Sequence, residues 1–298
     1  MWSPALHRRF LDLVLCVVIA ASGCSNAADP EKAEKPENST PAQGGADVQT
    51  REMLAERVAS VERQLEPLRR AARADPDNPV VHLALGKTAT RVHVFDEGIA
   101  HLERAVELEP SVAHRLDLAV GYTLAAQPDK AIEIYEQVLH QEPGNATALH
   151  ELGNIALGRT EYERAIAYFG RALQAKPDYL LAQLHLADAL RDSGRHREAY
   201  RGYERVIVLE ATTPFEARGV TDALYGLAAL DLMMGAHERA GTFLQELIRM
   251  APEHDKAYYA YGQVLLHLGR PEQAQQMFDK HIAIQAKTAS TSAAAMGD

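Results

Sequence analysis

Beyond residue 24 this sequence has no cysteine; its two, Cys16 and Cys24, both lie at the start of the chain. The body therefore carries neither a disulfide framework nor a cysteine-ligated metal site, which suits a periplasmic protein and a cytosolic one equally. Basic charge is also short, with 31 Lys and Arg against 41 Asp and Glu and a net charge of −10. Phosphate backbones need a basic face, so nucleic acid is not expected as a partner. No apolar run approaches the ~20 residues of a membrane-spanning helix. Catalytic signatures are missing too: there is no G-x-S-x-G, no Walker loop and no dinucleotide fingerprint. No two of the 13 histidines stand at i and i+4, and most fall on surface positions of the pattern described below. The expectation is a chain without metal or cofactor that is not an enzyme.

What is present begins with an address. Arg8 and Arg9 precede a short apolar run, Leu13 to Ala21, which ends in Ala21-Ser22-Gly23-Cys24. A positive n-region, a short h-region and small residues make residues 1–23 a signal peptide. Small residues followed by cysteine resemble the lipobox of bacterial lipoproteins, although Ala21 stands where that family usually has Leu. The resemblance implies cleavage before Cys24 and lipid attachment at Cys24; Cys16 is the poorer candidate because Leu15 precedes it. Ser25 is not the Asp that family sorting rules associate with the inner membrane, which implies an outer-membrane anchor facing the periplasm. Residues 24–47 are rich in Pro, Gly, Ala and charge and nearly empty of large apolar side chains. Such a segment cannot offset its ordering entropy, and a disordered tether is expected.

From residue 79 onward one pattern recurs. A large apolar residue precedes Gly or Ala at Leu85-Gly86, Leu118-Ala119, Leu152-Gly153, Leu186-Ala187, Leu227-Ala228 and Tyr261-Gly262. A small residue follows at Gly98, Ala131, Ala165, Ala199, Ala240 and Ala274, with Leu102, Tyr135, Phe169, Tyr203, Leu244 and Phe278 four positions later. Pro110, Pro143, Pro177 and Pro252 close four of the units. On this frame the units start near 79, 112, 146, 180, 221 and 255, and the step into the fifth is seven residues longer than the 34 that precede it. The pattern is similar to the tetratricopeptide repeat (TPR), though the family's Trp is missing, Trp2 being the only one. The resemblance implies an all-α, right-handed superhelical solenoid of antiparallel helix pairs, six units covering 79–285.

Local signals refine that frame. Thr160 with Glu163 has the spacing of a capping box, and Pro128 and Pro271 suit the first position of a helix. Thr213-Pro214-Phe215-Glu216 is itself a helix start, so the first helix of the fifth unit is expected from about Pro214, two turns longer than the others. Seven residues change helical phase by only ~20°, so the array should continue; the competing reading is a loop that splits it, because Gly219 is unfavourable inside a helix. Residues 48–78 carry an apolar stripe, Leu54, Val58, Val61, Leu65 and Leu68, and read as an N-terminal capping helix or degenerate repeat that Pro67 should kink or divide. Residues 286–298 are small and polar and should fray.

With chemistry unsupported, binding remains. In the TPR family the second, fifth, ninth, twelfth and thirteenth positions of each first helix line the concave face. Carried onto this sequence, the fifth position gives Leu83, Leu116, His150, Leu184, Tyr225 and Tyr259, and the ninth includes Asn154 and Asp188. Leu266 stands at the twelfth position of the last unit. The carboxylate clamp of co-chaperone members is not matched: only Asn154 fits, and His150 and His185 replace the expected Lys and Asn. The resemblance implies a scaffold of the cell envelope that binds peptide or protein partners through His150, Asn154, Leu184, Asp188, Tyr225, Tyr259 and Leu266. An apolar and aromatic patch over units four to six is the expected anchor, with Tyr225 and Tyr259 as its platform. The alternative is a glycan or small-molecule binder using the same tyrosines. Several of these residues could equally pack neighbouring units together.

Overall fold

The computed structural model describes residues 41–297; the signal segment, Cys24 and the tether as far as Thr40 lie outside them. Among the described residues there are thirteen helices and no strand. Residues 49–298 form one compact unit.

The first helix, α1, runs Pro41–Ala74. It takes up residues 41–47 of the expected tether, and Pro67 does not divide it. Proline removes one backbone hydrogen bond and crowds the carbonyl four residues back. Here Arg63 and Pro67 are both exposed, so the freed carbonyl of Arg63 is on the solvent side. Packing holds the helix together across the defect. Leu65 is fully buried in a cluster with Ala72, Leu85 and Ala89, and Val61 and Leu68 pack beside it. Arg69 donates to Glu62 at 2.6 Å across the proline and pairs in two-pronged fashion with Glu97, at 2.7 Å for both bonds. Thus α1 closes the open end of the first repeat.

Six helix pairs follow. Their first helices are α2 (Pro79–Arg91), α4 (Val112–Leu124), α6 (Ala146–Gly158), α8 (Leu180–Asp192), α10 (Pro214–Met233) and α12 (Asp255–His267). Their second helices are α3 (Phe95–Leu108), α5 (Pro128–Gln141), α7 (Tyr162–Ala175), α9 (His196–Val208), α11 (His237–Met250) and α13 (Pro271–Gly297). The tail from 286 continues α13 as helix rather than fraying.

The two helices of each pair are joined by one device used six times. A single residue adopts positive φ at the joint: His93, Ala126, Thr160, Gly194, Gly235 and Gly269. The next residue's N–H then bonds to the carbonyl five back, from Val94 to Ala89, Gln127 to Tyr122, Glu161 to Ala156, Arg195 to Leu190, Ala236 to Asp231 and Arg270 to Leu265, all at 2.8–2.9 Å. This is the Schellman termination, which satisfies carbonyls that the helix end leaves orphaned. It also explains why the expected capping box at Thr160 does not form. Thr160 is the left-handed residue closing α6, its hydroxyl donates to the Arg159 carbonyl, and Glu161 takes the cap position with no side-chain bond. Five of the six first helices are capped by side chains instead, from Asn78, Ser111, Asn145, Thr213 and His254; α8 has no such cap.

Within each pair, small residues set the spacing. A Cβ added at Gly153 would stand 2.5 Å from the Phe169 ring, and one at Gly262 would stand 2.4 Å from the Phe278 ring. The large residues that fill these gaps, Leu102, Tyr135, Phe169, Tyr203 and Leu244, are fully buried. The fifth unit keeps the scheme despite its insertion. Its first helix has 20 residues against 13 in α8, starts at Pro214 and carries a complete Thr213–Glu216 capping box. No loop splits the array. Gly219 lies inside α10 because a Cβ there would come within 2.9 Å of Leu180, so its absence lets α10 lie against α8.

The joint yields a stability test. Gly235 has φ 72° and no neighbour within 4 Å of an added Cβ, so Gly235→Ala should cost only backbone strain, about 1–2 kcal/mol. At the equivalent Ala126, φ is 55°. There Ala126→Gly should raise stability by up to about 1 kcal/mol despite glycine's poor helix propensity, because strain relief outweighs the added freedom of the unfolded chain. Thermal and urea melts of the two variants should move in opposite directions.

Candidate functional site

Curvature identifies the face available to a partner. First helices of consecutive units approach one another, α2 with α4, α6 with α8 and α8 with α10, more closely than any two second helices do among the described residues. Helices that approach more closely lie on the inside of a bend. The concave face is therefore built from the first helices.

The apolar residues left open on that face have a consistent place. Val80, Val120, Leu124, Met233, Tyr259 and Leu266 are all exposed, and all stand at the second, fifth, ninth, twelfth or thirteenth position of a first helix. They form two flanks, one over units one and two and one over units five and six. Val80, Val120 and Leu124 thus add an apolar flank outside units four to six, where the anchor is expected.

The expected site residues divide into three groups. Tyr259 is 47% exposed and Leu266 50% exposed, both on α12. Leu184 and His150 are buried, so neither presents a free side chain in the groove. Leu184 packs with Leu180, Val220 and Leu227 between units four and five. Tyr225 is half-buried against the core of units five and six, with its ring 5.7 Å from His254. Tyr225 and Tyr259 therefore do not make a common open platform; unit six covers the first, and the second stays open on α12. Asn154 and Asp188 are half-buried and engaged internally. Asn154 donates to Glu151 at 3.3 Å. Asp188 accepts from the Tyr203 hydroxyl at 2.6 Å and pairs with Arg191 at 3.0 Å. Burial together with the Asp188 charge holds the Tyr203 hydroxyl well above its ordinary range.

Between the two flanks the concave face turns polar around His150. Its Nδ1 lies 3.0 Å from Glu151 Oε1, and its Nε2 lies 3.0 Å from Nδ1 of His185 on the next unit. The two imidazoles are nearly parallel, at 17° with centroids 5.1 Å apart. Glu151 is held below the usual carboxylate range by the His150 hydrogen bond against the opposing effect of burial, and burial pushes His185 down. The surface assignment of most histidines thus fails at His82, His114 and His150, which are buried. For His150 register alone could not show this, because the fifth position is inward-facing in the family and only the next unit decides its exposure. A second buried polar feature was also missed. Asp231, fully buried on α10, accepts from Arg239 of α11 at 2.6 Å and from the Tyr200 hydroxyl of α9 at 3.4 Å. It tethers three helices where other units place apolar residues. Among the described residues no group of three or more His, Cys, Asp or Glu is arranged to hold a metal ion.

Comparison with known proteins gives the same architecture. One model of the tetratricopeptide repeat matches residues 156–211 and 231–296, and a second matches 125–179, about half of the chain between them. Mouse aspartyl/asparaginyl beta-hydroxylase is 32% identical over 162 residues, covering 49% of this chain and 22% of that protein. The chain thus spans about a fifth of that relative. The solved structure of YrrB, described as a TPR protein with an unusual peptide-binding site, superposes with a TM-score of 0.51 at 22% identity over 62% of this chain and 92% of that one. A structure from the functional characterization of Pseudomonas aeruginosa pilF superposes with a TM-score of 0.57 at 17% identity, over 70% and 97% of the two chains. At these identities the structural likeness is one of fold.

The different burial of the two tyrosines makes a direct prediction. Tyr225→Ala should lower stability by about 1–3 kcal/mol by opening a space at the unit five–six interface, whereas Tyr259→Ala should change it by less than about 0.5 kcal/mol. Urea denaturation of the single variants checks this.

Proposed function

The chain is a tetratricopeptide repeat protein, and from that footing we propose that it is a non-catalytic docking scaffold whose concave face takes a peptide or helix of a protein partner. The observation that carries this reading is positional. Apart from Phe215 on the extra turns of α10, the large apolar residues exposed within first helices all stand at inward-facing positions. Exposed apolar surface gathered on one face marks an interaction site more often than scattered exposure does. Tyr259 and Leu266 are the proposed anchors, and tyrosine is a favoured interface residue because its rigid apolar body ends in a polar tip. Units one and two, residues 79–145, hold ten Asp and Glu against five Lys and Arg. Their charge would steer a basic partner, but only within the ~8–10 Å that physiological salt leaves unscreened. That the protein-binding reading extends to peptides draws on YrrB, the similar fold with a peptide-binding site. The hydroxylase relative does not support catalysis in this chain, because what matches is about a fifth of that protein.

The proposal extends to location. The chain is exported, anchored by lipid at Cys24 and placed on the outer membrane facing the periplasm, where its partners belong to the cell envelope. Support comes from Ala21-Ser22-Gly23-Cys24 and the following Ser25. Among the described residues no helix is long and apolar enough to cross a membrane.

Two experiments test these points. In pull-downs from detergent-solubilised envelope, Tyr259→Ser combined with Leu266→Ser should weaken partner capture by roughly tenfold or more, the scale of a lost hot spot, with the circular-dichroism spectrum unchanged. Equal capture by wild type and the double variant would overturn the groove assignment. Metabolic labelling with an acyl analogue should mark the wild-type chain and leave Cys24→Ser unlabelled.

A further inference from the structure

The joint between units three and four is built on a contact that tolerates only some protonation states. Glu151, ionised, can only accept, so His150 donates from Nδ1. In neutral His150 the other nitrogen, Nε2, is then bare and accepts from Nδ1–H of His185 at 3.0 Å. The result is a directed chain from His185 to His150 to Glu151, running from α8 to α6. It requires one bare nitrogen between the rings. A single added proton still leaves one, and that proton belongs to the pair rather than to either ring. A second proton leaves none: two N–H groups and two positive charges then face each other across the same 3.0 Å.

We propose that the His150–His185 pair makes the unit three–unit four joint a pH-sensitive seam, closed when the pair is neutral and loosened when both rings are protonated. The surroundings favour this outcome. His150 is 4% exposed, so water cannot replace the lost hydrogen bond without movement of the helices. On α6 the ionisable neighbour is Glu151, with Asn154 beside it; on α8 it is Asp188. From α7 comes the Phe169 ring, 5.8 Å from both imidazoles. Tyr179, just before α8, packs 5.0 Å from His150 and carries Lys176 over its ring. Tyr135 of α5 feels the charge of Glu151, and Tyr179 that of Glu216 on α10. Burial and the neighbouring His150 oppose charge on His185, while Asp188 and Glu151 favour it.

The sign follows from linkage. A histidine whose folded-state pKa is depressed contributes stability that is present above the unfolded value of 6.5 and is lost as pH falls below it toward the folded value. Because a solenoid's stability is close to a sum of nearest-neighbour terms, the loss should appear at α6 and α8 before the whole array unfolds. The seam lies at this interface alone and needs no peptide in the groove.

Hydrogen exchange of the full chain, read by mass spectrometry at pH 7.5 and pH 5.0 with intrinsic rates corrected, tests it. In wild type, protection of α6 and α8 amides should fall measurably between pH 7.5 and pH 5.0, while the other helices keep theirs. His185→Gln keeps a neutral hydrogen-bonding side chain and should remove that fall. Loss of protection in His185→Gln equal to wild type, or no loss in wild type, would overturn the seam. Should His185→Gln not fold at pH 7.5, imidazole NMR of wild type decides. Two separated titration steps accompanied by shifts of α6 and α8 amides support the seam; independent titration of both rings at ordinary values, without amide shifts, overturns it.

Discussion

The fold depends on a near-contact between a residue with almost no side chain and one with a large one. At Gly153 and Phe169, and again at Gly262 and Phe278, the ring of the second helix occupies the space a Cβ would need on the first. That approach leaves each pair thin and its outer faces bare. Phe169 is fully buried, but the equivalent Phe278 is only half-buried, because no unit stacks beyond it among the described residues. Burial at a given position is therefore decided by the neighbouring unit, and stability propagates along the array by such pairwise interfaces. Replacing the lost neighbour at the other end is the task of α1, which brings Leu65 and Ala72 against Leu85 and Ala89.

This constraint explains how the array absorbs an insertion. Stacking requires that each first helix present the same face to both neighbours. Two added turns rotate that face by only ~20°, so Leu224 still packs toward unit six while Val220 and Leu227 pack toward unit four. A longer helix also reaches further along α8, and the close approach at Gly219 makes room for it. The helix propensity lost at that glycine, about 1 kcal/mol relative to Ala, is outweighed by contact with Leu180, Leu181 and Leu184. The left-handed joint works in the same spirit: one residue reverses the chain and leaves the second helix already started.

The features legible in the sequence were those that a single unit determines and the array repeats. The Leu-Gly pairs, the small residue of each second helix and the ring four positions later fall in phase because each serves a contact inside its own unit. Thr213-Pro214-Phe215-Glu216 was legible because a capping box is a local object. Thr160 was not, since Thr and Glu at that spacing satisfy two patterns, a helix start and a helix stop, and only the carbonyl of Ala156 decides between them. Pro67 misled because its cost is local while its compensation, Leu65 and the Arg69 ion pairs, is tertiary. The helical tail was hidden because its alanines favour helix by propensity alone, without the apolar stripe that marks the other helices.

The site was harder to read for a reason built into the architecture. The positions that face inward also lie next to the following unit. Along the fifth position Leu83, Leu116 and Tyr225 are half-buried, His150 and Leu184 buried and Tyr259 exposed, although register treats all six alike. A residue there becomes a ligand contact only where the next unit stands away or is absent, as it does for Tyr259. In the middle of the array the neighbour is close, and an inward position must be filled by something that packs. His150 meets that demand with a ring that lies nearly parallel to and bonded with His185, and two nitrogens that both find partners. The cost of using histidine is that the packing residue can acquire a charge, which an aliphatic side chain in its place could not do. The apolar flanks and the histidine seam therefore follow from one geometric fact, the varying distance between a first helix and the unit that covers it.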